Sequence, residues 1–231
     1  MANCISDHDF IVWTANWQEL ENSPGTFPFF KQDEKLMLGF YFDSTDIETL
    51  FSTPGIATIK VRFGFSDDKK FKIILFGTDN VAERLTPYYT ANAPDYKPVG
   101  SGPQHGNVPS ALANLWREHW RTYGSKNDIT SQMFMTHYGF LRGYNYSLKE
   151  LIDALFNFKI MPKLYIAFVL HKYRPIAGAS FTSAVDEAYV FGLLFQSIPN
   201  KTGNDPESND NVMAADDGGY YDLSAPCPRT C

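Results

Sequence analysis

The stretch Ile59-Lys60-Val61-Arg62-Phe63-Gly64-Phe65 alternates apolar residues with polar or small ones. Ser66-Asp67-Asp68-Lys69 then turns the chain into a second apolar run over residues 71–77. Such alternation marks a strand with one buried and one solvated face, so residues 56–77 predict an antiparallel β-hairpin. Upstream, Ser6 is placed to cap a helix, with Asp9 answering its backbone N–H. Phe10, Trp13, Trp17 and Leu20 then share one helical face. Ser23-Pro24-Gly25 ends that helix. Residues 36–42 read as a strand. Asp43 or Ser44 opens a short helix carrying Ile47, Leu50 and Phe51, which Pro54-Gly55 stops.

The same order of signals recurs in the second half. Trp13-x3-Trp17 is matched by Trp116-x3-Trp120, and Thr26 and Phe30 by Thr130 and Phe134. Gly39-Phe40-x-Phe42 is matched by Gly143-Tyr144-x-Tyr146. After a one-residue slip, Ile47, Leu50, Phe51, Ile59, Val61 and Phe63 fall on Ile152, Leu155, Phe156, Leu164, Ile166 and Phe168. Tyr88-Tyr89 with Ala93-Pro94 is echoed by Tyr220-Tyr221 with Ala225-Pro226. Matched blocks in one order are the signature of an internal repeat. Helices are expected over residues 110–123 and 129–138, a strand or extended piece over 140–144, and a helix over 148–158 with Ser147 and Glu150 as capping box. Strands follow over 163–173 and 187–196. The expected fold is α+β: a tandem duplication of an α-β-α-β-β unit with mostly antiparallel sheets, its two similar lobes packed as a pseudo-dimer. Residues 1–98 form the first repeat and 99–108 a linker. Residues 109–231 form the second, with an acidic loop at 199–219 and a C-terminal arm at 220–231.

Composition narrows the function. The 231 residues are 44% hydrophobic and 20% charged, enough apolar material for a packed core. The formal charge is −6 and no Lys/Arg run exists. Duplex nucleic acid and anionic membrane surfaces are engaged through clustered basic residues, so neither is an expected partner. The longest apolar runs, over residues 164–170 and 189–195, are too short to span a bilayer, and no membrane insertion is expected. The start, Met1-Ala-Asn-Cys4-Ile-Ser-Asp-His8, does not read as a signal peptide, and three cysteines do not read as a secreted disulfide framework. A cytoplasmic location is the expectation.

Three segments carry a resemblance. Trp13-Thr-Ala-Asn-Trp17, the Phe42-x-x-x-Asp46-Ile-Glu-Thr-Leu-Phe51 segment and Lys60-Val-Arg-Phe-Gly-Phe65 resemble the N-terminal two-thirds of a group of small, uncharacterised bacterial proteins. The end, Tyr221-Asp-x3-Pro226-Cys227-Pro228-x-x-Cys231, resembles the tail of the same group. The resemblance covers about the first eighty residues and the last dozen. It implies a bacterial origin and no particular activity. This chain departs from the group in carrying two copies and in keeping cysteines only in the second tail.

Candidate sites are few. Cys4-x3-His8 and Cys227-x3-Cys231 supply three thiolates and an imidazole, enough for a tetrahedral zinc ion if the two ends meet. A Cys227–Cys231 disulfide and plain reduced thiols stand beside that reading, and no other cofactor is indicated. The loop from Asn204 to Asn211 lacks the tight glycine of a calcium loop, with Asp210 in its place. The Gly-rich segment 100–106 is not preceded by a strand and reads as linker. Ser180 lacks the glycine a nucleophile elbow needs. His119, His137 and His171 have no acid or second ligand at catalytic spacing. The paired tryptophans read as core anchors. The arms, Tyr88, Tyr89 and Pro94 in the first half and Tyr220, Tyr221 and Pro226 in the second, carry the functional weight. Proline holds such a segment extended, suited to lying along a surface of its own chain or of a neighbour. The expected function is non-catalytic: an interaction or self-assembling structural protein of a bacterial cell, with itself as partner in a homo-oligomer or filament. The alternative is a small-molecule-binding protein or hydrolase with its site between the repeats, using His119, His137 or His171.

Overall fold

Ser6 caps the first helix in the way its spacing to Asp9 requires. In the computed structural model the Asp9 amide donates to Ser6 Oγ at 3.0 Å and the Ser6 amide donates to Asp9 Oδ2 at 3.4 Å. The structure describes residues 3–91, 94–96, 108–136, 139–155, 163–173, 188–198, 220–221 and 225–226. Strand β1 (Cys4–Ile5) precedes helix α1 (Asp7–Glu19). A tight hairpin, β2 (Lys31–Gln32) and β3 (Lys35–Leu36), leads to β4 (Gly39–Phe42) and α2 (Ser44–Ser52). The predicted hairpin follows as β5 (Thr58–Phe65) and β6 (Phe71–Thr78), then β7 (Tyr88–Thr90) and β8 (Pro94–Asp95). The second half runs α3 (Ser110–Ser125), β9 (Met135–Thr136), β10 (Gly139–Phe140), β11 (Gly143–Ser147), α4 (Leu148–Leu155), β12 (Lys163–Tyr173) and β13 (Ala188–Ile198). It closes with β14 (Tyr220–Tyr221) and β15 (Ala225–Pro226). The mixture of helices with antiparallel sheets is the α+β class the sequence predicts.

Two local expectations change. Of the helix expected over 129–138, the described residues 129–136 form none; Ser131–Phe134 is a single 3-10 turn followed by the β9–β10 pair. Phe134 is fully buried and its carbonyl accepts from the Leu141 amide at 2.7 Å, so core packing and a strand partner outcompete helix propensity there. The strand expected over 36–42 is broken at Met37–Leu38, because Met37 N donates back to Phe30 O at 2.8 Å and Leu38 N to Asp95 O at 2.7 Å.

The strands form two principal sheets, each assembled from both halves of the chain. One has the order β1-β7-β6-β5-β11-β15 and the other β14-β13-β12-β4-β8, with every neighbouring pair antiparallel. Strand β4 of the first half thus lies against β12 of the second, and β11 of the second against β5 of the first. Phe40 pairs Ile166 in one sheet and Tyr144 pairs Val61 in the other. Both crossings demand glycine. A Cβ at Gly39 would stand 2.3 Å from the Ile166 carbonyl oxygen, and one at Gly143, where φ is +148°, 2.0 Å from that of Val61.

Inward-facing residues of both sheets merge into one aromatic core. Phe71 meets Phe168 edge-on at 5.7 Å and Phe63 meets Phe191 at 5.6 Å. Trp17 and Trp120 are fully buried in it. Each indole N–H crosses to the opposite half: Trp17 Nε1 donates to Leu141 O at 2.9 Å, and Trp120 Nε1 to Met37 O at 2.8 Å. Burial of a Phe side chain stabilises by about 1.5–3 kcal/mol, so this aromatic cluster holds the halves together more strongly than the strand hydrogen bonds alone.

Candidate functional site

The first arm is spoken for within its own chain. Tyr88 and Tyr89 sit in β7, between β6 on one side and β1 on the other, with Leu75 and Cys4 both opposite Tyr89. Tyr89 is buried. Tyr88 stacks on Phe10 at 3.9 Å and meets Phe76 edge-on at 4.9 Å. The Arg84 guanidinium lies 4.3 Å above the Tyr88 ring and holds Asp7 through two hydrogen bonds of 2.9 and 3.0 Å. A few residues on, Pro94 and Asp95 pair with Phe40 and Gly39 of β4 in the other sheet. The first arm therefore straps one sheet to the other, with its proline on an outermost strand where a missing N–H costs least. Tyr96 Oη donates to Gln32 Oε1 at 2.8 Å and fastens the end.

The second arm takes the reciprocal course. Tyr220 and Tyr221 pair with Gln196 and Phe195 of β13, and Ala225 and Pro226 pair with Asn145 and Tyr144 of β11 in the opposite sheet.

The candidate zinc ligands are placed as follows. Cys4 is exposed in β1, at one margin of its sheet, and His8 is exposed in the first turn of α1. Partial burial and the neighbouring Asp46 carboxylate push the Cys4 thiol above its ordinary value. Cys227 and Cys231 lie outside the described residues. The strand before Cys227 is β15, at the opposite margin of the sheet from β1. Five strand spacings separate those margins, about 24 Å. Among the described residues no group of three or more His, Cys, Asp and Glu side chains is gathered for a metal ion.

Of the histidines, His119 on α3 and His171 on β12 both lie where that helix meets the strand, while His137 lies outside the described residues. His119 Nδ1 is 3.2 Å from Leu170 O, and its ring meets Tyr189 edge-on at 5.1 Å. The His171 ring stacks on Trp116 at 4.0 Å and covers Gly192, where a Cβ would stand 2.4 Å from Nε2. Trp116 therefore packs on a sheet face with imidazole as its partner, while Trp120, one turn later, enters the core. The loop 199–219 and the Gly-rich segment 100–106 are outside the described residues, as is Ser180.

Sequence reasoning missed one cluster. Asp95 on β8, Tyr41 on β4, Tyr165 on β12 and Arg117 on α3 meet on the outer face of the second sheet. Arg117 and Tyr165 are buried, and the Tyr41 and Tyr165 rings lie 4.6 Å apart. Burial, reinforced by Asp95 and opposed by Arg117, pushes the Tyr165 hydroxyl far above the ordinary tyrosine value; Tyr41 is raised for the same reasons. The signal was an arginine between a partly buried and a fully buried tryptophan of an amphipathic helix. No helix among the described residues is long and apolar enough to cross a membrane.

No family model matches the chain, nor does any curated protein or solved structure.

Proposed function

We propose that this chain is a non-catalytic, self-assembling structural or interaction protein of a bacterial cell. In this reading it arose by tandem duplication of an α-β-α-β-β unit, and its copies are packed as a pseudo-dimer with exchanged strands. One observation carries the reading: the two sheets have the same plan with the halves traded. Strands β7-β6-β5-β11-β15 correspond in order to β14-β13-β12-β4-β8. The registers agree too. Val61–Tyr144 answers Ile166–Phe40, Leu75–Tyr89 answers Phe195–Tyr221, and Tyr144–Pro226 answers Phe40–Pro94. The indole hydrogen bonds are reciprocal as well. Thr26 bridges Thr130, its own sequence counterpart, which a residue does only on the axis relating two copies. Burial refines the alignment: fully buried Ile47 is answered by fully buried Leu151, not by Ile152, which is 39% exposed.

A unit whose own strands leave a sheet half-built is a unit made to associate. Its strand β4 or β11 has no place until another copy supplies the neighbour. Further self-contact through sheet margins and Tyr arms extends the same principle between molecules. The test is the native mass. Size-exclusion chromatography with light scattering should report particles of several chains at high concentration, and a strict monomer would overturn the assembly. The alternative of a small-molecule-binding protein or hydrolase rests on His119 and His171 both lying where α3 meets β12. Both rings are engaged in aromatic packing, which favours the structural reading.

A further inference from the structure

We propose that the chain assembles by exchanging whole halves with a second copy of itself: the first half of one molecule completes the sheets of the second half of another. The proposal rests on the interleaved reading above and adds the partner and the surfaces used. Within one half, β5, β6 and β7 stay together in one sheet while β4 and β8 belong to the other. The pieces that complete each sheet are thus supplied in trans from the other half, joined to it only through residues 97–107. That connection reaches up to about 40 Å when extended. Replacing the partner half by the same half of a second molecule keeps every pairing, both indole hydrogen bonds and the aromatic core, and changes only the path of the connection. Exchange of identical elements is the low-cost route to oligomers for this reason.

Reciprocal exchange between two molecules gives a closed dimer. Serial exchange gives a ring or a filament, since a first half then always meets the next chain's second half. The intramolecular form competes through an effective concentration on the order of millimolar for a short connection, so exchange grows as protein concentration approaches that range.

Thr58 and Ser147 face one another across β5 and β11 and report which halves are paired. Antiparallel neighbours have the Cα separation a disulfide accepts. With Cys4, Cys227 and Cys231 replaced by serine, one full-length chain carries only Thr58→Cys and another only Ser147→Cys. The two are unfolded in urea, mixed, refolded together at rising concentration and oxidised. The expected result is a covalent species joining the two chains on a non-reducing gel, its yield rising with concentration during refolding. A single chain carrying both substitutions is the control and should close a bond within itself at low concentration. Control closure without any joined species overturns the exchange, and failure of the control overturns the pairing beneath it. A joined species from the cysteine variants, beside a purified wild-type protein that is monomeric by light scattering, would keep the exchange and remove the assembly function, so the two failures are told apart.

Discussion

Replacing Trp17 by Phe, and separately Trp120 by Phe, tests the interleaving where it is most buried. Each indole is fully buried and donates to a carbonyl of the opposite half, at 2.9 Å to Leu141 and 2.8 Å to Met37. Phenylalanine keeps one ring in the site and deletes the donor. The stranded buried carbonyl costs about 1–3 kcal/mol. The lost second ring leaves a void among Phe71, Phe134 and Phe140 around Trp17, and among Phe30, Phe168 and Phe191 around Trp120. A void lined by rings that cannot collapse adds about 1 kcal/mol or more, so each variant should lose about 2–4 kcal/mol. If the two sites are counterparts, the two losses should agree within about 1 kcal/mol, inside the usual context dependence of such values. Urea unfolding followed by far-ultraviolet circular dichroism measures both, and a single cooperative transition is expected because neither sheet survives without both halves. One near-neutral variant beside one that abolishes folding would refute the equivalence. Two resolved transitions in the wild type would refute the interleaving itself.

The remaining predictions concern backbone and titration. Gly143→Ala forces a Cβ to within 2.0 Å of the Val61 carbonyl at a φ of +148°, and should cost about 2–5 kcal/mol or prevent folding. Gly25→Ala, with φ +90° and nothing within 4 Å, should cost only about 1–2 kcal/mol in the same urea assay. Glu34 holds a φ of 62° and Asp33 one of 48° in the two-residue β2–β3 turn, the conformation that favours Asn-Gly. Glu34→Gly should therefore raise stability by about 1 kcal/mol, and a loss would show that the turn is not of this type. Tyr165 is neutral when protonated and burial raises its pKa, so its contribution is complete below the ordinary tyrosine value of 10.0 and is lost as pH climbs past it. The urea midpoint should fall more steeply above pH 10 in the wild type than in Tyr165→Phe; parallel curves would remove Tyr165 as a source of alkaline sensitivity.

Local chemistry was legible where a residue type admits one use. Ser6 with Asp9, the alternation over residues 59–65 and the proline stops each place their element within a residue or two of the observed bounds. Recurrence of Gly39 and Gly143 was visible, but its cause was not. Both glycines are needed because a strand from the other half passes at backbone contact, and periodicity within a segment carries no information on which strand lies beside it. The helix expected over 129–138 fails over its described part, residues 129–136, for a related reason. Their apolar spacing suits a helix, and only the demand of Phe134 for the shared core and of Met135 for a partner at Phe140 decides for an extended pair.

The same limit explains why the arms drew attention and the strands did not. A Tyr-Tyr segment followed by proline after a long loop stands out from its surroundings, so the sequence advertises an element that can dock. Strand β4 looks like any short buried strand, yet it makes the larger commitment, four consecutive pairs with β12 against two between β8 and β4. The proline end of the first arm, which pairs through two residues, can be displaced at the cost of a few hydrogen bonds, each worth about 1 kcal/mol net, while Tyr89 stays buried between its two strands. Displacing β4 uncovers Phe40 and Phe42 and opens the aromatic core, so it happens only when another half is present to receive it. If the molecules associate by both routes, exchange of the proline ends of the arms should be rapid and reversible in folded protein. Exchange of halves should be set once, as the chain folds.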